Sequence, residues 1–181
     1  MSENRQMTAI RVDILTFMIT TTTTSTKPAT FRIEALSPER LEAIRCSGID
    51  DGGNCVSPPR AAEGGEPVRC CLRIAKPGEP ILLIAYRPFT KANPYAETGP
   101  VFVHAGSCGG YPWADRYPDD FRGRQQIFRC YDSAGNILGG HLAEPAEDVE
   151  AVIEALFADG NVEYIHTRNI IFGCYMLEVR R

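Results

Sequence analysis

Val68-Arg69-Cys70-Cys71-Leu72-Arg73-Ile74-Ala75 reads as a β-strand. Side chains alternate between the faces of a strand. One face is then Val68, Cys70, Leu72 and Ile74, all apolar. The other is Arg69, Cys71, Arg73 and Ala75. On this reading Cys70 is a core residue. Cys71 lies between two guanidinium groups, which lower a thiol pKa and raise its reactivity. Comparable strand patterns occur at 31–34, 81–87, 100–104, 126–132, 137–142, 162–168 and 174–180.

Two helices interrupt this series, one near each end of the domain. In the first, Leu36 is a staple, Ser37 the N-cap and Pro38 the first helical residue, with Leu41 and Ile44 buried and Gly48 ending it. The second runs from Pro145 to about Ala158. Its apolar residues Val149, Val152, Ile153, Leu156 and Phe157 fall on one helical face, and Gly160 stops it. Crossover helices between successive strands are missing, which argues against a doubly wound parallel sheet. The expected fold is α+β: a mostly antiparallel sheet of about seven strands with two helices. Asp132-Ser133-Ala134-Gly135-Asn136 is a hairpin turn. Residues 47–67 form a long surface loop rich in Gly, Pro and acidic groups, and Gly173 marks a bulge or tight bend.

Among the 181 residues, 44% are apolar and 23% charged, and the net charge is -4. That balance argues against attraction to nucleic acid or to an anionic membrane. Ile10 to Ile19, the most apolar early stretch, contains Arg11 and Asp13 and is too short to span a bilayer. Residues 1–30, with a threonine run at 20–24, read as a weakly ordered N-terminal extension, and 31–181 as a single α+β domain. Seven cysteines are an odd number, and no pair has C-x-x-C spacing, so neither a disulfide framework nor a zinc knuckle is indicated. A reducing cytoplasm is the expected compartment.

The same face logic puts Phe102 with His104, Ile127 with Arg129 and Tyr131, and Tyr164 with His166 and Arg168. If these faces converge, Arg69, Arg73, Arg129, Tyr131 and Arg168 line a positive pocket for a small anion, because the arginine fork suits carboxylate and phosphate. Cys71 is the expected nucleophile. His104 and His166 are its candidate bases, and Glu97 or Asp132 its orienting acid. Adjacent cysteines on a strand point apart, so Cys70 and Cys71 are not expected to share a metal. A centre from Cys71, Cys174, His104 and His166 needs four strands to converge. No metal and no cofactor is therefore assigned. Loop 105–124, with its glycines and with Tyr111, Trp113 and Tyr117, reads as either a lid or a packed surface loop. These residues point to an enzyme acting on a small anionic metabolite through a thiol. The alternative is a non-catalytic binding module for a small carboxylate or phosphate. Oligomeric state is not encoded in any pattern.

Several stretches resemble one family, the domain of unknown function 1203. They are Phe31-Arg32-Ile33-Glu34-Ala35-Leu36-Ser37-Pro38, Arg69-Cys70-Cys71-Leu72-Arg73, Tyr95-Ala96-Glu97-Thr98-Gly99-Pro100-Val101-Phe102-Val103-His104, and His166-x-Arg168-Asn169 through Gly173-Cys174-Tyr175-Met176. The resemblance covers residues 31 to 181 and implies a small bacterial cytoplasmic protein. It implies no activity, substrate or catalytic residue.

Overall fold

Residues 31–181 are described by a computed structural model. The extension expected over 1–30 lies outside the described residues. Strand β1 (Arg32–Glu34) leads into helix α1 (Pro38–Ser47). Ser37 caps this helix by accepting the Arg40 N–H at 3.2 Å, and Pro38 fills the first turn. Gly48 ends it at φ 68°, a left-handed turn that a glycine adopts without steric cost. Leu41 and Ile44 face inward, as expected.

Two sheets, not one, make up the fold. The remaining strands are β2 (Arg60–Ala61), β3 (Pro67–Val68), β4 (Arg73–Ile74), β5 (Pro80–Tyr86), β6 (Gly99–His104), β7 (Gln126–Tyr131), β8 (Ile137–Ala143), β9 (Tyr164–Asn169) and β10 (Tyr175–Arg180). The first sheet has the order β1-β10-β9-β7-β8 and the second β2-β5-β6-β3-β4. All pairings are antiparallel except β3 with β6. The α+β class, the two helices and the antiparallel character stand as expected, but the single sheet of about seven strands is corrected to two sheets of five. Alternation reports which face a residue occupies and carries no information about which strand lies beside it.

The expected strand over 68–75 is also corrected. It is a tight hairpin, with β3 and β4 paired through Pro67 opposite Ile74 and Val68 opposite Arg73. Residues 69–72 form its turn. No Gly, Pro, Asn or Asp marks that turn. Leu72 instead takes a φ of 53°, alone among the described non-glycine residues in having a positive φ.

Helix α2 (Val149–Phe157) begins later than Pro145, because Asp148 is its cap and accepts from the N–H groups of Glu150 and Ala151. Its buried stripe of Val149, Ile153 and Phe157 packs with Phe128, Ile165 and Val179 of the first sheet. A second core joins Leu41 and Ile44 of α1 to Ile81, Ile84, Val101 and Val103 of the second sheet. The two sheets meet at Arg69. Its Nε donates to the Tyr175 carbonyl at 2.9 Å, and its Nη2 lies 3.4 Å from the Met176 sulfur. No helix among the described residues is long and apolar enough to cross a membrane.

Candidate functional site

The β3–β4 turn and the end of β6 build the site together. Val68 pairs in parallel with Phe102, and the Arg69 N–H donates to the Phe102 carbonyl at 2.9 Å. That register carries residue 70 alongside residue 104. The His104 backbone N–H donates to Cys70 Sγ at 3.2 Å. The His104 ring then meets both sulfurs of the turn, with Nδ1 3.3 Å from Cys70 Sγ and 3.6 Å from Cys71 Sγ. Cys108, four residues beyond His104 on loop 105–124, completes a group whose three sulfurs and one ring nitrogen all lie within 4.8 Å of one another. Because Cys70 and Cys71 occupy a turn, their side chains converge, contrary to the expectation for neighbours on a strand.

The other side of the ring is held by charge. His104 Nε2 lies 3.1 Å from Arg73 Nη2 and 3.4 Å from Glu79 Oε2. Arg73 grips both oxygens of Glu79, at 2.8 and 2.9 Å. That grip and the Lys76 N–H hold the Glu79 carboxyl down at about 2. Glu79 was not anticipated, although the Pro77-Gly78 turn that delivers it is visible in the sequence.

The charge distribution among the thiols reverses the expectation for Cys71. Arg69 does not flank it, because the guanidinium is turned away into the sheet junction. Hydrogen bonds from the Cys71 thiol and the His104 backbone lower the pKa of Cys70. The adjoining Cys70 sulfur and burial raise that of Cys71. Cys70 is thus the more acidic thiol of the pair, and Cys71 donates toward its sulfur.

Cys71 faces a groove of about 380 Å³ whose charged walls are Arg73, Arg116, Asp119 and Asp120, with Arg116 paired to Asp119 and Arg73 to Glu79. Loop 105–124 is thus the wall of this groove. Its Asp120 accepts the Ile74 N–H at 2.8 Å and ties the loop to β4.

The expected single pocket divides into two constellations. Cys71, Arg73 and His104 are together at the turn. Arg129, Tyr131, His166, Arg168 and Glu97 are together on the first sheet, where Arg129 pairs opposite His166. There Glu97 is gripped by Arg129 Nη1 at 2.7 Å and Arg168 Nη1 at 2.6 Å. His166 is fully buried among Phe89, Tyr131, Tyr164 and Tyr175, and its Nε2 meets Glu178 at 2.9 Å. Arg69 joins neither group, and Asp132 closes its own hairpin turn by accepting from Ala134 and Asn136. Cys174 lies at the start of β10, outside both groups.

The family model described as Protein of unknown function (DUF1203) matches residues 65–181. The chain belongs to the DUF1203 family. The DUF1203 match includes the turn cysteines, Glu79, His104, Cys108 and the whole first-sheet constellation, while β1, α1 and β2 precede it. A search of curated proteins gives no match, and nor does a search of solved structures.

Proposed function

We propose that this protein is an enzyme that acts on a small anionic substrate through Cys71. The observation that carries the reading is the line Cys71 Sγ, His104, Glu79 at the edge of a groove lined by Arg73 and Arg116, with contacts of 3.6 and 3.4 Å. A nucleophile beside a base, with the base held by an acid, is the general arrangement of covalent catalysis. Arg73 and Arg116 line the groove paired with Glu79 and Asp119, and each turns its remaining guanidinium N–H groups to the substrate anion. The Cys71 proton passes to His104 Nδ1 as its sulfur bonds to an electrophilic carbon of the substrate; the bond from that carbon to the leaving group breaks, and the departing group takes the electron pair and the proton from His104. Water, deprotonated by His104, then attacks the same carbon, and the sulfur leaves as the Cys71 thiol with that proton.

Alkylation with two reagents of opposite charge character tests this. Iodoacetate, an anion, and neutral iodoacetamide are compared on native protein, with each cysteine followed by mass spectrometry. Cys71 should react faster with iodoacetate, and Arg116→Gln should remove that preference. His104→Gln should slow both reagents at Cys71 alone. An inert Cys71, or one with no greater preference for iodoacetate than the exposed Cys46 and Cys55, sinks the reading.

A separate observation favours the second reading, a non-catalytic module for a carboxylate or phosphate. The Glu97 carboxylate bridges two arginines, while Arg168 Nε and Nη2, Tyr131 Oη and His166 Nδ1 have no hydrogen-bond partner among the described residues. On this reading Glu97 occupies the place of a ligand. Glu97→Gln should then give a protein whose melting temperature rises with inorganic phosphate or succinate, and adding Arg168→Gln should abolish the rise. A melting temperature indifferent to both anions makes the contact a plain loop tether.

A further inference from the structure

We propose that Cys70, Cys71, His104 and Cys108 bind one zinc-class divalent cation. The inference rests on the reading of this cluster as the working centre and gives it a second state: a bound ion occupies the Cys71 sulfur and His104 Nδ1, so the thiol chemistry belongs to the metal-free protein. Three sulfurs and one imidazole nitrogen are a soft ligand set, which selects zinc-like tetrahedral ions over magnesium or calcium. Zinc lies about 2.3 Å from sulfur and about 2.0 Å from nitrogen, so its ligand atoms sit roughly 3.5–4 Å apart. The four atoms here already fall within 4.8 Å of one another, so small rotamer changes close the shell.

The surroundings match a metal centre more fully than a chance cluster does. The ring nitrogen that faces the sulfurs is Nδ1, at 3.3 and 3.6 Å, and the far nitrogen faces the Arg73–Glu79 pair, 3.1 Å from Arg73 Nη2 and 3.4 Å from Glu79 Oε2. A ligating histidine commonly donates its other N–H to a carboxylate, which fixes the ring and strengthens the ligand. Arg73 in turn locks Glu79 through both oxygens. A backbone N–H already points at Cys70 Sγ. Three thiols crowd one histidine, Arg69 is directed away, and the adjacent Arg73 is already held by both oxygens of Glu79. A divalent cation supplies the positive charge that several thiolates need, and it holds each coordinating thiol as a thiolate. Cys108 comes from an exposed loop, so binding also ties loop 105–124 to the β3–β4 turn.

Cobalt(II) serves as the probe. The full chain is stripped with a chelator under reductant and titrated with cobalt. A thiolate-to-cobalt charge-transfer band should saturate at one equivalent and bleach when zinc is added. Glu79→Gln should weaken cobalt binding by roughly 10–100-fold. Cys108→Ser, on an exposed loop where folding is not at stake, should weaken it at least as much and dim the band. Cys174→Ser, outside the cluster, should change neither. Absence of the band, or an unchanged band in Cys108→Ser, overturns the proposal. If the band is absent while Cys71 keeps its preference for iodoacetate, the metal fails and the thiol enzyme stands. If the band is present and stripped protein shows no such preference, the reverse holds.

Discussion

Leu72 takes a left-handed backbone conformation, which costs a branched residue about 1–2 kcal/mol. Its side chain is 1% exposed in the first core, and complete burial of a leucine contributes about 1.5–3 kcal/mol. Burial therefore offsets the strain, and the turn that gathers the cysteines is held by its leucine rather than by a glycine. Arg69 is the second residue on which the turn depends. Burial pulls its guanidinium down to about 10, and among the described residues no carboxylate lies within ion-pair distance of it. Arg69→Ala should cost about 2–3 kcal/mol in chemical denaturation, because the Tyr175 carbonyl loses a charged donor and a cavity opens. His166 makes a pH prediction. Burial lowers its pKa, against the opposing pull of Glu178, with Arg168 and Arg180 adding to the lowering. The unfolded chain then binds the proton more readily, so stability is full above the ordinary histidine value and falls as the pH drops through it. Unfolding free energy should fall between about pH 7.5 and pH 5.5, and His166→Phe should flatten that fall.

At the scale of elements, the legible parts are those with local chemistry. Ser37, Pro38 and Gly48 mark α1, and Gly135 at φ 85° closes the β7–β8 hairpin where the turn residues place it. The α2 stripe is equally plain, although its start is set by Asp148 and not by Pro145. Asp148→Ala should destabilise the fold by about 1 kcal/mol in thermal or chemical unfolding. The β3–β4 turn was not legible, because Arg69 to Leu72 contains none of the residues that announce a turn. Reading it as a strand sent Cys70 and Cys71 to opposite faces, and so hid their convergence on His104. Gly140 shows how closely β7 and β8 approach each other. A methyl added there lies 2.8 Å from the Phe128 carbonyl oxygen. Gly140→Ala should push the strands apart and lower the melting temperature, and a mutant as stable as the wild type would show that β8 yields freely.

For the whole molecule, the face analysis grouped the right residues within each sheet and failed between sheets. Arg129, Tyr131, His166 and Arg168 share one face of the first sheet, because β7 and β9 pair antiparallel with Arg129 opposite His166. His104 and Cys71 share the second sheet, which no periodicity assigns. Glu79 and Cys108 enter from loops, where side-chain direction follows the turn and not an alternation rule. The architecture thus gives one chain two separate polar centres, one on each sheet, with Arg69 at the junction of the sheets.

That junction also orders events during synthesis. Arg69 reaches the Tyr175 carbonyl across 106 residues, and β10, which carries Tyr175, is the strand between β1 and β9. A chain emerging from the ribosome therefore presents Cys70 and Cys71 long before the strand that anchors their turn exists. For most of translation these thiols are accessible to oxidants and to scavenging metal ions, and they come under the control of the finished fold only when β10 inserts.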